Sequence, residues 1–328
     1  MSARTEQLTA ALSRTPAPAR KRRPLSTYKP SGKVSWPVIL VEGGEGVGKS
    51  HMMAEFTADE RVGRSFWFQL GETSAHEFGG VGDYEVVEID GTWTDLIDQV
   101  LNVVEVAEKA AANGEPPIVV CVDSVSAVWD MCAGWAYAKA SRGPANKKIL
   151  EGDAEGDINI GPLIWANARE RWLQFYRPLQ MAPLIAVLSA KAAETVAISA
   201  GGTPLKNQTA YKIRAQKELP YDVNAIVRLS QDTAPTVTKC RSPKWGVRPG
   251  VDDPATIRDL SLGRLIFDGM GFDPGNTQVS DQVELETSPK EAELPPEVAA
   301  NVAALAAETG GSENPMPNSS EPPAEVSV

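Results

Sequence analysis

Gly43 to Ser50 read GGEGVGKS, which fits the phosphate-cradling pattern G-x-x-x-x-G-K-[ST]. In such a P-loop the glycines turn successive backbone N–H groups toward a bound triphosphate. The lysine reaches the β- and γ-phosphates, and the terminal hydroxyl helps to hold Mg²⁺. The whole stretch Gly43, Gly44, Glu45, Gly46, Val47, Gly48, Lys49 and Ser50 is therefore the expected nucleotide-binding segment, with ATP and Mg²⁺ as the expected cofactors. An ordinary Gly-rich turn is the bland reading, and the flanks weigh against it. Val38-Ile39-Leu40-Val41 is a short apolar run of buried-strand type, and Ser50 to Phe56 can open a helix. The N-terminus of that helix adds free N–H groups and partial positive charge to the anion site.

Downstream, Ser65-Phe66-Trp67-Phe68-Gln69-Leu70 is aromatic-rich and strand-like and stops at Gly71-Glu72. Hydrolysis of a γ-phosphate needs a group that orients or deprotonates water. A glutamate at the carboxyl end of a strand points into the crevice where α/β sheets bind ligands. Glu72 is the candidate catalytic carboxylate, beside Lys49, with Glu77 as the alternative and a solvated turn residue as the bland reading.

Glu85 to Ile89 reads as a short strand. Thr92 to Ala112 carries Leu96, Val100, Val104, Ala107 and Ala111 at helical spacing and is closed by Gly114. Ile118 to Val122 is then a continuous apolar run ending in Asp123-Ser124, the pattern of a strand whose terminal carboxylate holds Mg²⁺. Ser50 and Asp123 are the expected metal-side residues.

From Ala133 to Gly161 apolar periodicity fades, and a long mobile loop is expected. A helix over Ile164 to Leu179 follows, with Trp165, Ala168, Trp172 and Phe175 on a stripe that reads as core rather than as a base-stacking platform. Leu184 to Leu188 is another buried strand, and Ser189 at its end is the expected γ-phosphate sensor. Residues 192–217 read as a basic loop carrying Lys206, Lys212, Arg214 and Lys217. These suit contacts to nucleic-acid phosphates or to a neighbouring subunit's nucleotide, against a plain solvated loop. Ala225 to Leu229 and Thr236 to Cys240 form an expected hairpin extending the sheet, and Leu265-Ile266-Phe267 a last strand.

Charge is uneven. The net charge is −11, yet residues 1–33 hold eight Lys/Arg against one Glu, and residues 275–328 hold ten Asp/Glu against one Lys. The expected organisation is a flexible basic arm (1–33), an ATPase domain (34–274) and a disordered acidic tail (275–328). An acidic total argues against coating of DNA through bulk charge alone, though not against local basic loops. The three cysteines lack C-x-x-C spacing and there are two histidines, so neither a disulfide framework nor a zinc site is indicated. No segment reads as a signal peptide or a membrane span, so no membrane partner and a cytoplasmic location are expected.

Taken together, the motifs between about Val34 and Phe267 resemble the RecA/RadA-like P-loop ATPases, in particular the compact phage-encoded members used in single-strand annealing and recombination. The carriers are the P-loop with Glu45 at its third position, Glu72 before the Asp123 strand, the Asp123-Ser124 pair and the polar strand end at Ser189. That resemblance implies an α/β fold with a RecA-like core, a mainly parallel sheet flanked by helices, with a C-terminal hairpin extension and disordered tails. It implies DNA-stimulated ATP hydrolysis with Glu72 activating water, DNA-binding loops at about 133–161 and 192–215, and intersubunit cations near Lys212, Arg214 and Lys217. Expected partners are single-stranded DNA, further copies of the chain in a ring or filament, and a single-strand-binding protein, in host cytoplasm if the protein is phage-encoded. The basic arm lacks the family's Phe-x-x-Ala polymerisation motif. A second class of function remains open on the residues alone: a nucleotide switch acting on a protein partner without touching DNA.

Overall fold

The computed structural model describes residues 24–198, 204–242, 244–245 and 255–278. Residues 24–33 are exposed and without regular structure, while the rest of the basic arm and the acidic tail beyond Gln278 lie outside the described residues.

Strand β1 is Val34–Ser35 and β2 is Val38–Gly43; helix α1 is Lys49–Thr57. There follow β3 (Ser65–Gln69), β4 (Glu85–Val86), α2 (Trp93–Ala112), β5 (Val119–Asp123), α3 (Val125–Ser141), α4 (Pro144–Gly152) and α5 (Pro162–Met181). Then come β6 (Ile185–Ile198), β7 (Pro204–Ile213), the single turn α6 (Leu219–Asp222), β8 (Ala225–Leu229), β9 (Thr236–Cys240), β10 (Ala255–Thr256) and β11 (Thr277–Gln278).

The main sheet runs in the order β10-β9-β8-β2-β6-β5-β3-β4, with β7 also paired to β6. Strands β8, β2, β6, β5, β3 and β4 are mutually parallel, whereas β9, β10 and β7 join antiparallel. Thr277 and Gln278 of β11 pair with Val34 and Ser35. This is the expected α/β architecture, a mainly parallel sheet flanked by helices with the P-loop at its centre and with β8 and β9 as a hairpin extension.

Alternation along the strands sorts the core onto two faces, because successive side chains point to opposite sides of a sheet. Val38, Leu40, Phe66, Phe68, Val120, Val122, Ala186 and Leu188 face helices α2, α3 and α5. Ile39, Val41, Trp67, Val119, Cys121, Ile185, Val187 and Val227 face α1 and the segment from Leu262 to Phe272. The continuous apolar runs of β2, β5 and β6 follow from burial on both faces. Helix α2 begins where Thr92 accepts a hydrogen bond from the Asp95 N–H at 3.2 Å, and Gly114 takes a positive φ of 69° after its end.

Four expectations are corrected. The stretch 133–161 is not one long loop: α3 continues to Ser141 and α4 occupies Pro144–Gly152. Its large apolar residues thin out, but alanine, the strongest helix former, carries α3 through Ala138 and Ala140, and Pro144 at the first turn suits the start of α4. The loop expected over 192–217 is largely a pair of antiparallel strands, with Ala192 opposite Ile213 and Val196 opposite Thr209. There the ladder hydrogen bonds hold a strand pair that its sequence does not mark by alternation. Leu265-Ile266-Phe267 forms a helical turn spanning Arg264–Gly269, because a short apolar run fits a buried helix as well as a strand. The strand at Glu85 is two residues long, not five.

Trp165 also departs from its expected place. Ala168, Trp172 and Phe175 are buried, but Trp165 is exposed and stacks on Trp129 with ring centroids 6.3 Å apart. All three cysteines are free and buried. Among the described residues, no helix is long and apolar enough to cross a membrane.

Candidate functional site

The cleft at the carboxyl ends of the parallel strands has a volume of about 550 Å³, within the range of small-molecule sites. It is lined by the whole of Gly43–Ser50, by His51, Glu72, Phe78, Asp123, Lys191 and Ala192. Four elements converge there: the turn from β2 into α1, the segment after β3, the end of β5, and β6.

The loop is shaped by its glycines. Gly46 and Gly48 have φ of 67° and 90°, the left-handed region where a Cβ is penalised. Gly43 is needed for a different reason, since a Cβ there would lie 2.6 Å from the Leu229 carbonyl oxygen on β8 and 2.8 Å from Val47 Cγ2. A backbone oxygen held in a parallel ladder cannot step aside. Gly43→Ala is therefore expected to cost about 1–3 kcal/mol through overpacking, read as a lower Tm in thermal denaturation. ATP affinity should fall with it because the loop is displaced; an unchanged Tm and affinity would show that β8 yields.

Below this loop, Glu42 is buried on β2 and Arg228 on β8 reaches it, Nε to Oε1 at 2.7 Å. Such a pair costs much if one partner is removed, since it leaves a buried charge. It fixes the P-loop strand to its neighbour one residue before the loop begins.

Lys49 Nζ donates to the carbonyl oxygens of Gly43 at 3.2 Å and Gly44 at 2.5 Å. Burial holds its ammonium below the ordinary lysine pKa, an effect opposed by the Asp123 and Glu72 carboxylates and reinforced by Lys191. Asp123 is buried and accepts three hydroxyls from three elements. Ser50 Oγ on α1 lies 2.7 Å from its Oδ2, Ser74 Oγ 3.2 Å from the same atom, and Ser189 Oγ on β6 2.5 Å from Oδ1. Glu72 forms an ion pair with Lys191, Oε1 to Nζ at 2.8 Å.

The sequence-predicted residues divide accordingly. The P-loop, Lys49, Ser50, Asp123 and Glu72 are brought together at the cleft. Glu77 is exposed and does not line it. Ser189 is fully buried behind Asp123 and is absent from the lining. Lys212, Arg214 and Lys217 are exposed at and after the end of β7, with Arg214 paired to Asp130 on α3 at 3.0 Å. Lys206 lies on β7, and its side chain falls outside the described residues.

Residues that the sequence reading passed over are Lys191, Ser74, Phe78 and His51. Phe78 meets the His51 ring edge-on with centroids 5.6 Å apart, forming an aromatic wall beside the P-loop. A lysine three places past the expected end of a buried strand, Leu188, was the available signal for Lys191.

The donor chemistry fits the implied groups. An all-oxygen pair of hydroxyl and carboxylate, Ser50 and Asp123, suits Mg²⁺, which takes one or two carboxylates and completes its shell with water and phosphate. Among the described residues no cluster of three His, Cys, Asp or Glu side chains offers a dedicated metal cage. The turned N–H groups of the loop, the start of α1 and Lys49 suit a polyphosphate.

Comparison with known proteins agrees with this chemistry at the level of family. Residues 36–248 match a family model described as an AAA domain. No curated protein matches the chain. Among solved structures, the chain is similar to a prototypical ATPase from the type III secretion system of pathogenic bacteria. That match has 15% identity and a TM-score of 0.34 over 61% of this chain and 55% of the other, a likeness too slight to carry an argument.

Proposed function

The chain belongs to the AAA domain family and carries an AAA-type ATPase domain, and on that premise we propose that its ATP hydrolysis serves single-stranded DNA in recombination or annealing. The observation that carries the reading is the path of β6. The strand passes Ser189, lines the cleft at Lys191 and Ala192, and continues unbroken into the hairpin with β7, whose far end brings Lys212 and Arg214 back beside it. Ala193 pairs with Lys212, and the Arg214 N–H donates to the Lys191 carbonyl at 2.8 Å. A phosphate backbone held at these cations is thus one residue removed, along a hydrogen-bonded ladder, from the cleft.

In the hydrolytic step, a water oxygen forms a bond to the γ-phosphorus as the bond to the β,γ-bridging oxygen breaks, its electron pair leaving with ADP. The water proton passes to the Glu72 carboxylate and on to phosphate or solvent. Lys49 neutralises charge on the β- and γ-oxygens, and the loop N–H groups hold the chain of phosphates in line. Ser50 and Asp123 are the residues that would hold Mg²⁺, and the ion would supply charge neutralisation there. The proposal extends to self-association in a ring or filament, with Lys212, Arg214 or Lys217 facing a neighbour's nucleotide, to a single-strand-binding protein as partner, and to a cytoplasmic setting.

The test is steady-state ATP hydrolysis with and without single-stranded DNA over a range of salt concentrations. DNA is expected to raise the rate several-fold at low salt, with the stimulation falling steeply as salt rises, because each phosphate contact releases counterions. A rate indifferent to DNA at every salt concentration, in a protein that binds ATP, would transfer the function to a nucleotide switch acting on a protein partner.

A further inference from the structure

Ser189 and Lys191 lie two residues apart on β6 and therefore on the same side of the strand. Their surroundings differ. The Ser189 hydroxyl has one hydrogen, which it donates to Asp123 Oδ1, and the residue is fully buried behind that carboxylate. Its geometry supports Asp123 and leaves it nothing to offer a phosphate. Lys191 lines the cleft with about half of its side chain exposed, and its Nζ lies 2.8 Å from Glu72 Oε1.

The backbone beneath Lys191 is fixed on both sides. Its N–H donates to Ser126 Oγ on α3 at 2.9 Å, and its carbonyl accepts the Arg214 N–H at 2.8 Å. A long cationic side chain thus springs from a rigid base into a site shared with Lys49, Asp123 and Glu72. A lysine is a compact point charge with three donors on a flexible stem. It can serve a carboxylate and a phosphate oxygen together.

Resting on the ATP reading above, we propose that Lys191, not Ser189, is the γ-phosphate contact of this strand, and that it also positions the Glu72 carboxylate for the attacking water. The same ammonium bridges the group that receives the water proton and the oxygens that gain charge as the phosphoryl group transfers. Because ADP lacks the γ-phosphate, this contact separates the two nucleotides. A lysine that only braced Glu72 would leave their relative affinities untouched.

The decisive measurement is the ratio of ADP to ATP dissociation constants, by calorimetric titration with Mg²⁺ on the full chain, for the natural protein, Lys191→Met and Lys191→Arg. In Lys191→Met, ATP affinity is expected to drop about tenfold or more, as for loss of one charged hydrogen bond, with ADP affinity within about threefold of the natural value. Lys191→Arg should restore most of the preference for ATP. Lys191→Gln, polar at a half-exposed position, reads the same ratio if the Met variant is poorly folded. ADP binding reports folding in every variant. An unchanged ratio in a variant that binds ADP normally would overturn the assignment. Failure of the natural protein to bind either nucleotide would overturn the ATPase reading itself, a separate result.

Discussion

Replacing Lys49 with Ala is expected to weaken ATP binding by about a hundredfold or more and to bring hydrolysis below about a hundredth of the natural rate, the scale of losing one preorganised charged donor to a phosphoryl group. The ammonium has a double task. It ties the loop together through the carbonyl oxygens of Gly43 and Gly44, and on the proposed reading it is the cation that meets the phosphates of ATP. Alanine removes both, and it takes away one of the two cations beside the Asp123 and Glu72 carboxylates, leaving Lys191 paired with Glu72. The first readout is calorimetric titration. The second is thermal: ligand present at about a hundred times its dissociation constant stabilises the folded state by about 2.7 kcal/mol, and that rise in Tm should vanish in Lys49→Ala. An affinity within a few-fold of the natural value would remove Lys49 from the site.

Glu72→Gln should behave in the opposite way toward binding. The amide keeps the size of the carboxylate, and its oxygen still accepts from Lys191 Nζ at the place where Glu72 Oε1 now lies. What it loses is the capacity to take a proton. Turnover is expected to fall by about 10²–10⁴-fold, the usual contribution of a positioned base, while ATP affinity stays within a few-fold. Single-turnover hydrolysis beside equilibrium binding separates the two quantities. Normal turnover in this variant would show that another group activates water. Glu77, exposed and off the cleft wall, has no geometric claim to that role.

The parts of this site that were legible in the sequence are those where residue type alone dictates the backbone or the charge. Gly46 and Gly48 announce positive φ, Asp123 is the carboxylate that ends β5, and Glu72 follows the end of β3 by three residues, where parallel sheets open their crevices. Lys191 was hidden by an error of extent. The apolar run Leu184–Leu188 marks only the doubly buried part of β6; the strand continues ten residues further because β7, not a core helix, satisfies it. Ser74 was hidden because its importance lies in a 3.2 Å contact across 49 residues, which no local pattern encodes. Helix α3 was obscured where alanine supplies helical propensity without supplying an apolar stripe, and α4 because its nine residues bury only Asn146. Trp165 shows the reverse failure: its helical spacing is right, but a stripe wider than the buried face leaves its edge residue in water.

β6 also has a mechanical consequence. Its first half is clamped on both edges, by β2 and by β5, while its second half has the described pairing only with β7. A load along the strand would have to shear two parallel ladders at once in the core, where many hydrogen bonds share it. A load across the hairpin would unzip one antiparallel ladder bond by bond. From Lys191 to Ile198 the strand advances about 23 Å at ~3.3 Å per residue, so the hairpin is a lever whose fulcrum lies at the cleft wall. A pull across the hairpin would therefore peel the β6–β7 ladder before it strained the two ladders that hold β6 beside the P-loop strand.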